Sequence, residues 1–292
     1  MIISQLTGGL GNQMFQYAVG RALSLARGQP LRLDVSWFSG SSAYRQFELQ
    51  RIFNFPMAIA TESDLRGMLG WQFASPVRRV LSRPGAAGLR RESFVVEPHF
   101  HYWHGISKVP NACYLTGYWQ SERYFQTQAA QIRADFSFKP PAAARIAEYL
   151  ARIGEVSAVS VHLRRGDFAS NASVNAKHGL CSLDYYQAAS RYMAERVAHP
   201  HFFVFSDDAE WTRNHFKIDY PCQFLDGSRE AGSYNDMRLM SACQHHIIAN
   251  STFGWWGAWL NPRPEKIVIA PKKWFASGAN APDLIPGSWV VL

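Results

Sequence analysis

Three stretches of this chain gather ionisable and amide groups at spacings that a packed core does not need. The first is Val-His-Leu-Arg-Arg-Gly-Asp at residues 161–167. Strand alternation puts His162 and Arg164 on one face and sends Arg165 the other way or into the loop. A guanidinium grips a phosphate with two prongs and keeps its charge. Arg164 and Arg165 can therefore neutralise a departing diphosphate, with Asp167 holding the neighbouring arginine. The plainer reading is an Arg–Asp network that ties loops together. The second stretch is Phe205-Ser206-Asp207-Asp208. A carboxylate just past a strand can read ribose hydroxyls or the guanine N–H edge. It can also sit beside magnesium, or cap the next helix without any ligand. No Asp-x-Asp triplet occurs and arginines already supply positive charge, so no required metal is expected. The third is Asn250-Ser251-Thr252-Phe253-Gly254-Trp255-Trp256. Ser251, Thr252 and the nearby backbone N–H groups make a phosphate nest. Phe253 can wall a nucleotide pocket, while the tryptophans lock the helix to its sheet. His245 and His246, just upstream, read as structural.

A fourth candidate lies at the start of the chain, in Gly8-Gly9-Leu10-Gly11-Asn12-Gln13. Gly9 and Gly11 let backbone approach a ligand closely, and the helix that follows presents N–H groups to an anion. Asn12 can offer its amide to a phosphate oxygen or cap the helix. The rival is a dinucleotide fingerprint, which makes an NAD-dependent oxidoreductase the alternative function. Gly9-x-Gly11 fits, and Asp34 closes the next strand where a ribose-binding acid would stand, but Met14 occupies the third glycine position. A tight turn without ligand is the remaining reading.

The elements that must position these residues follow an α/β rhythm. Residues 2–6 read as a strand, Met14, Ala18, Ala22 and Leu25 recur at helical spacing, and Gly28 and Pro30 end that helix before a strand at 31–35. Such a β-α-β unit implies a parallel pair. Residues 40–130 are less regular. There His99, His101 and His104 stand among Phe100, Tyr102 and Trp103, a candidate acceptor wall or a polar aromatic loop. Pro140-Pro141 and the Ala-rich 142–151 mark a junction. Strands are then expected at 156–163, 201–206, 246–249 and 266–270. Helices are expected at 183–198 and 235–243 and after Ser251 or Thr252. The fold class is α/β, two Rossmann-like domains facing a cleft, with domains at 1–140 and 141–292. Ligands of open α/β sheets bind beyond the carboxyl ends of the strands, where all three polar motifs of the second half lie.

The 292 residues suffice for two such domains, and 47% apolar with 18% charged residues is a globular composition. A net charge of +8 suits an anionic partner without choosing one. The basic residues are too dispersed for the continuous stripe of a nucleic-acid module. Arg78, Arg79, Arg83, Arg90 and Arg91 read as a solvated surface, or one facing acidic lipid headgroups. The four cysteines form no CxxC and no metal-ligand spacing. Neither a signal peptide nor a membrane-length apolar run occurs, so the expected compartment is the cytoplasm, with loose contact at the inner membrane face.

Taken in order, the stretches at 8–18, 117–121, 162–167, 205–208 and 250–256 resemble the α-1,2-fucosyltransferase family over nearly the whole chain. Gly117-Tyr118-Trp119-Gln120-Ser121 joins the motifs above in carrying that likeness. The resemblance implies a GT-B-like arrangement with an acceptor-side N-terminal domain and the nucleotide mainly in the C-terminal one. It implies GDP-β-L-fucose as donor, a glycan acceptor, commonly a β-galactoside, and inverting transfer to a 2-hydroxyl without metal or other cofactor; the expected loose membrane contact would bring the chain near lipid-linked acceptors. By the same likeness Arg164 contacts the departing diphosphate and Asn12 faces the same phosphates. Asp207 or Asp208 reads ribose or guanine, and Ser251, Thr252 and Phe253 supply the phosphate side. Gly9, Gly11, His162, Arg165 and Asn250 complete the expected donor-binding set. Gly254 departs from the pattern, since many relatives carry Ser there. The catalytic base is open between Asp34, by its place at a strand end, and the histidines of the 99–104 loop. A lipopolysaccharide or other surface polysaccharide is the expected acceptor. A fucosyltransferase of different acceptor or linkage, and a non-catalytic sugar-binding protein, are the remaining readings.

Overall fold

In the computed structural model, strand β1 (Ile2–Gln5) leads through a bend at Gly8 and Gly9 into a helix at Leu10–Arg27, and β2 (Leu31–Asp34) returns parallel to β1. The helix stops where Gly28 takes a left-handed backbone, φ 60°, which costs little only without a Cβ. The structure describes residues 1–39, 45–140, 143–225, 232–278 and 281–292. Of the expected junction, Pro141 and Ala142 lie outside the described residues, and the helix after it runs Ala144–Gly154.

The chain divides into two compact units, Met1–Ser137 with Ala281–Pro286 and Phe138–Asn280 with Gly287–Leu292. The first is built on a parallel sheet of order β2-β1-β4-β3, where β3 is Phe94–Val96 and β4 is Cys113–Thr116. Both added strands come from the region that shows no clear period in the sequence. They are three and four residues long, too short for alternation to register.

The second unit is built on a parallel sheet of order β10-β9-β8-β5-β6-β7. Its strands are β5 (Ser157–Leu163), β6 (Pro200–Ser206), β7 (Cys222–Phe224), β8 (His245–Ile247), β9 (Val268–Ala270) and β10 (Val290–Val291). β5 and β6 pair along their whole length, from Ser157 opposite Pro200 to Leu163 opposite Ser206. Their apolar runs are continuous because both faces of the sheet are covered. On one face Val159, Val161 and Leu163 pack with Tyr186 and Met193 of the helix Leu183–Ala194. On the other, Ala158, Phe203 and Phe205 pack with Ile146, Leu239 and Met240.

The expected surface cluster of arginines needs one correction. Arg78 is nearly buried and pairs with Asp34. The fold spends this cation inside the first unit, at the end of β2. The four cysteines are free thiols. His246 is structural as expected: Asn261 Nδ2 donates to its Nε2 and its Nδ1 lies 2.8 Å from Ser160 Oγ. Burial pushes this imidazole well below its usual range, toward the neutral ring. Among the described residues no helix is long and apolar enough to cross a membrane.

Candidate functional site

The site in the second unit begins where β5 ends. Leu163 is the last strand residue, and the next two are Arg164 and Arg165. Their side chains part, as alternation predicts. Arg164 Nη2 donates to Asp167 Oδ1 at 2.5 Å, and its Nη1 lies 2.8 Å from Asp207 Oδ2. Two carboxylates thus orient the guanidinium through its two terminal nitrogens. Arg165 goes the other way: its Nε donates to Asp208 Oδ2 at 3.3 Å. Its guanidinium carbon sits 3.3 Å from the ring centre of Trp211, a stacked contact that only a planar cation makes well.

β6, next to β5, delivers the two aspartates. Asp207 Oδ1 accepts the backbone N–H of Arg165 at 2.6 Å, and its other oxygen meets Arg164. This close approach requires Gly166: a Cβ there would lie 2.3 Å from Asp207 Oδ2, well inside contact distance. Asp208 turns to the helix Ala209–His215 and caps it through the N–H of Trp211. The two acids, equivalent in the sequence, therefore do different work. Among the described residues, no group of three or more His, Cys, Asp or Glu could hold a metal ion.

β8, on the other side of β5, leads to the third motif. Ser251 caps the helix Thr252–Leu260, its Oγ accepting the Phe253 N–H at 3.3 Å. The helix start thereby aims backbone N–H groups toward the carboxyl ends of the strands. His162 comes against it, with its ring 5.8 Å from that of Phe253. A Cβ at position 254 would lie 2.6 Å from His162 Nδ1, so here the imidazole takes the space that a serine side chain would need. Asn250 is a strut. Its Nδ2 donates to the carbonyls of His178 at 2.8 Å and Trp274 at 3.2 Å, and the residue is buried.

The first-unit candidates divide. Gly9 is the N-cap position of the helix Leu10–Arg27, Gly11 is buried in its first turn, and Asn12 sits inside the helix instead of capping it. Asn12 Oδ1 accepts from Gln120 Nε2 at 2.9 Å, which joins the glycine loop to the 117–121 stretch. Asp34 stands apart from both. It is 1% exposed, and its oxygens take Tyr114 Oη–H at 2.7 Å, Arg78 Nη1 at 2.9 Å and the Ser36 N–H at 2.9 Å. A carboxylate so placed cannot take a proton from an arriving hydroxyl without breaking that network. In the 99–104 loop, the Tyr102 ring lies 4.8 Å from that of Tyr124 at a tilt of 51° and under the Arg123 guanidinium, and the Tyr102 N–H donates to Asp283.

The sequence pattern therefore locates the strand-end polar groups, and the structure assigns them. It joins Arg164, Arg165, Asp207 and Asp208 in one cluster, joins His162 to Phe253 and Gly254, and gives Asn250 and Asp34 supporting tasks. Trp211 and Gly166 escape the sequence reading. Trp211 carries no local signal, and Gly166 reads as a turn glycine until Asp207 is seen resting on its α-carbon.

The sequence model of glycosyl transferase family 11 matches residues 100–291. An alpha-1,2-colitosyltransferase of Escherichia coli is 34% identical over 99% of this chain and 98% of its own. The O-antigen biosynthesis glycosyltransferase WbnK, also of Escherichia coli, is 33% identical over 99% of both. Among solved structures, a NodZ alpha-1,6-fucosyltransferase co-crystallized with GDP superposes with a TM-score of 0.52, covering 88% of this chain and 90% of that one at 14% identity. At that identity the likeness is one of fold, the α/β, GT-B-like fold of two units on parallel sheets.

Proposed function

The chain belongs to glycosyl transferase family 11, and from that premise we propose that it transfers L-fucose from GDP-β-L-fucose to the 2-hydroxyl of a galactose in a surface glycan. The α-1,2 linkage in the name of one relative and the O-antigen role in the name of another support the product. The GDP bound to the fold relative supports the nucleotide. The observation that carries the chemistry is Arg164, held at the end of β5 by Asp167 and Asp207.

In the proposed step the acceptor oxygen attacks C1 of the sugar from the face opposite GDP, and the C1–O bond to the β-phosphate breaks. Charge develops on the leaving oxygen, and Arg164 receives it. Arg164, Arg165, Asp167, Asp207 and Asp208 together carry two positive and three negative charges, so a diphosphate gains little unless one acid yields. Asp207 is 11% exposed and Asp167 is 37% exposed. Asp207 is also tied to the Arg165 N–H. Asp167 is therefore the acid that gives its place on Arg164 to a phosphate oxygen, while Asp207 keeps the guanidinium aimed. Ser251, Thr252 and the N–H groups beside Phe253 serve the phosphates from the neighbouring strand end.

Gly166→Ala tests that arrangement. The added Cβ must displace Asp207, and the misaimed Arg164 should lose up to about 100-fold in turnover at saturating donor, with the melting temperature nearly unchanged. Normal turnover in this variant would show that Asp207 does not aim the arginine.

A second reading concerns the donor. Colitose is L-fucose without its 3-hydroxyl, and a relative that matches along the whole chain is named for it. Purified protein with GDP-L-fucose or GDP-colitose and a panel of β-galactosides separates the two. The expected result is GDP release that depends on acceptor, is faster with GDP-L-fucose, and yields one deoxysugar attached at O2 of galactose. Faster turnover of GDP-colitose establishes the second donor, and attachment at another oxygen overturns the linkage.

A further inference from the structure

The first unit carries a surface on which unneutralised cations and large apolar side chains stand together. From residue 65 to residue 91 the chain holds six arginines and no acid. Arg66 pairs with Glu62, and Arg78 with Asp34. Arg79, Arg83, Arg90 and Arg91 form no ion pair among the described residues. Arg79, Arg83 and Arg91 are exposed, and Arg90 is half-buried. In the same stretch Trp71 is 66% exposed, Val80 53% and Leu89 68%. Among the described residues, Trp71 is the one exposed tryptophan.

These groups sit on one piece of packed backbone. The buried Gln72 donates from Nε2 to the Leu89 carbonyl at 2.9 Å and accepts the Arg91 N–H on Oε1 at 3.1 Å. Gln72 follows Trp71 in the chain, so these two bonds bring Leu89 and Arg91 beside the tryptophan. The Arg91 guanidinium lies over the α-carbon of Gly70, a place that a Cβ would block. Arg90 reaches the other way. Its Nε donates to the Leu81 carbonyl at 2.6 Å and its Nη2 to the Arg83 carbonyl at 2.8 Å. That ties the 84–91 segment to the end of the helix Ser75–Leu81, which carries Arg79 and Val80. Leu81 anchors the piece by packing with Leu65, Leu69 and Phe94 in the core of the unit. Exposed apolar side chains grouped in this way and rimmed by cations mark an interaction surface.

We propose that this face, formed by Trp71, Val80 and Leu89 with Arg79, Arg83, Arg90 and Arg91, docks the protein on an anionic lipid surface. Charge complementarity selects the headgroups: four guanidiniums without acidic partners are attracted to a negative leaflet. The apolar side chains select a bilayer over another polyanion. A nucleic-acid backbone offers Val80 and Leu89 nothing, whereas the boundary between headgroups and acyl chains accepts aliphatic tips and favours an indole. Arginine stems lie along the apolar layer while their charged ends stay at the phosphates. The inference goes beyond the transferase reading and stands without it, because none of these residues belongs to the donor site. For a lipid-linked acceptor, docking confines the search to the plane in which that acceptor lies.

Flotation of the full chain with vesicles tests this, using phosphatidylcholine alone and phosphatidylcholine mixed with phosphatidylglycerol. The wild type should float with the mixed vesicles, come off as salt is raised, and ignore the neutral ones. Arg79→Gln, Arg83→Gln and Arg91→Gln together should weaken partitioning by about 100-fold. Trp71→Ala with Leu89→Ser should weaken it by about tenfold. The control takes the same number of cations from elsewhere, changing the exposed Lys108, Lys272 and Lys273 to Gln, and should lose about threefold or less. A wild type that ignores the mixed vesicles overturns the proposal. So does a lysine variant that loses as much as the arginine variant, since net charge alone would then drive binding. Unchanged binding in the Trp71 and Leu89 variant overturns the lipid assignment in favour of a general polyanion site. The variants should keep the melting temperature and GDP affinity of the wild type, because the side chains they change are exposed. If they fold poorly, quenching in the wild type decides. Brominated acyl chains in the mixed vesicles should quench tryptophan emission through Trp71, and bound protein without quenching overturns the proposal. A chain that docks yet turns over neither GDP-sugar leaves this surface standing and overturns the transferase reading alone.

Discussion

Arg164→Lys should fold normally, bind GDP, and turn over about 1000-fold more slowly at saturating donor and acceptor. The reason lies in the geometry of the fork. Asp167 accepts from Nη2 of Arg164 and Asp207 lies in ion-pair contact with its Nη1, so the two acids orient the guanidinium. In the proposed step the guanidinium is thus aimed at the leaving oxygen before any substrate arrives. A lysine ammonium carries the same charge on a flexible stem and cannot satisfy both aspartates and a phosphate in one plane. Ground-state affinity for GDP should change by about tenfold or less, because charge attraction survives the replacement. The loss should therefore appear in kcat more than in KM, the signature of an interaction made chiefly in the transition state. Near-normal kcat in Arg164→Lys would remove Arg164 from the chemistry and leave it an ion-pair anchor. Arg165→Lys is the matched control. That side chain stacks on Trp211 and bonds Asp208, so its replacement should cost stability and aim, with a smaller loss of rate.

The largest expected effect on stability is that of Trp256→Ala, about 3–5 kcal/mol. Trp256 is fully buried in the helix Thr252–Leu260 and meets Trp255 and Trp259 with ring centres 5.0 Å and 5.2 Å away, both nearly edge-on. The helix also lies close to its neighbour Tyr234–Ala242, where a Cβ at Gly257 would come within 2.8 Å of the Met240 methyl. So tight a contact leaves the walls little freedom to collapse into the space of a lost indole. The same helix presents Ser251 and its first N–H groups to the site, so the loss should reach function as well. Equilibrium unfolding in urea and the melting temperature measure the first effect, and GDP affinity measures the second. Trp256→Phe, which keeps an aromatic ring, should lose less than half as much. A fully stable Trp256→Ala would mean that the helix is anchored by its other tryptophans alone.

The two halves of the chain were not equally readable. β5, β6 and the helices Leu183–Ala194 and Tyr234–Ala242 were legible because long apolar runs and regular spacing report a sheet covered on both faces, whereas the short helices Gly166–Ser170, Ala172–His178 and Ala209–His215 were not. The polar groups that follow those strands were legible for the same reason, since the ends of strands can be read wherever the strands can. β3 and β4 were not, being too short for a period, and with them went the turn whose Tyr118 and Trp119 N–H groups close on Glu97. Arg78, on the helix Ser75–Leu81, was hidden for another reason: it reads as part of a basic surface run and is the nearly buried partner of Asp34.

The amino-acid sequence by itself determined the α/β class, the helix end at Gly28 and a cap at Ser251 or Thr252, the strand-end placing of His162, Arg164, Asp207 and Ser251, and the family resemblance, all of which depend on neighbours within one or two elements. Tertiary structure alone decided which acid meets which arginine, why residue 166 must be glycine, that Asp34 is spent in the interior, and that two successive N–H groups close on Glu97. Each of these contacts joins residues from separate strands and depends on register and distances of a few ångströms. Spacing along one chain records neither, because many registers are compatible with the same local pattern and only the packed sheet selects one.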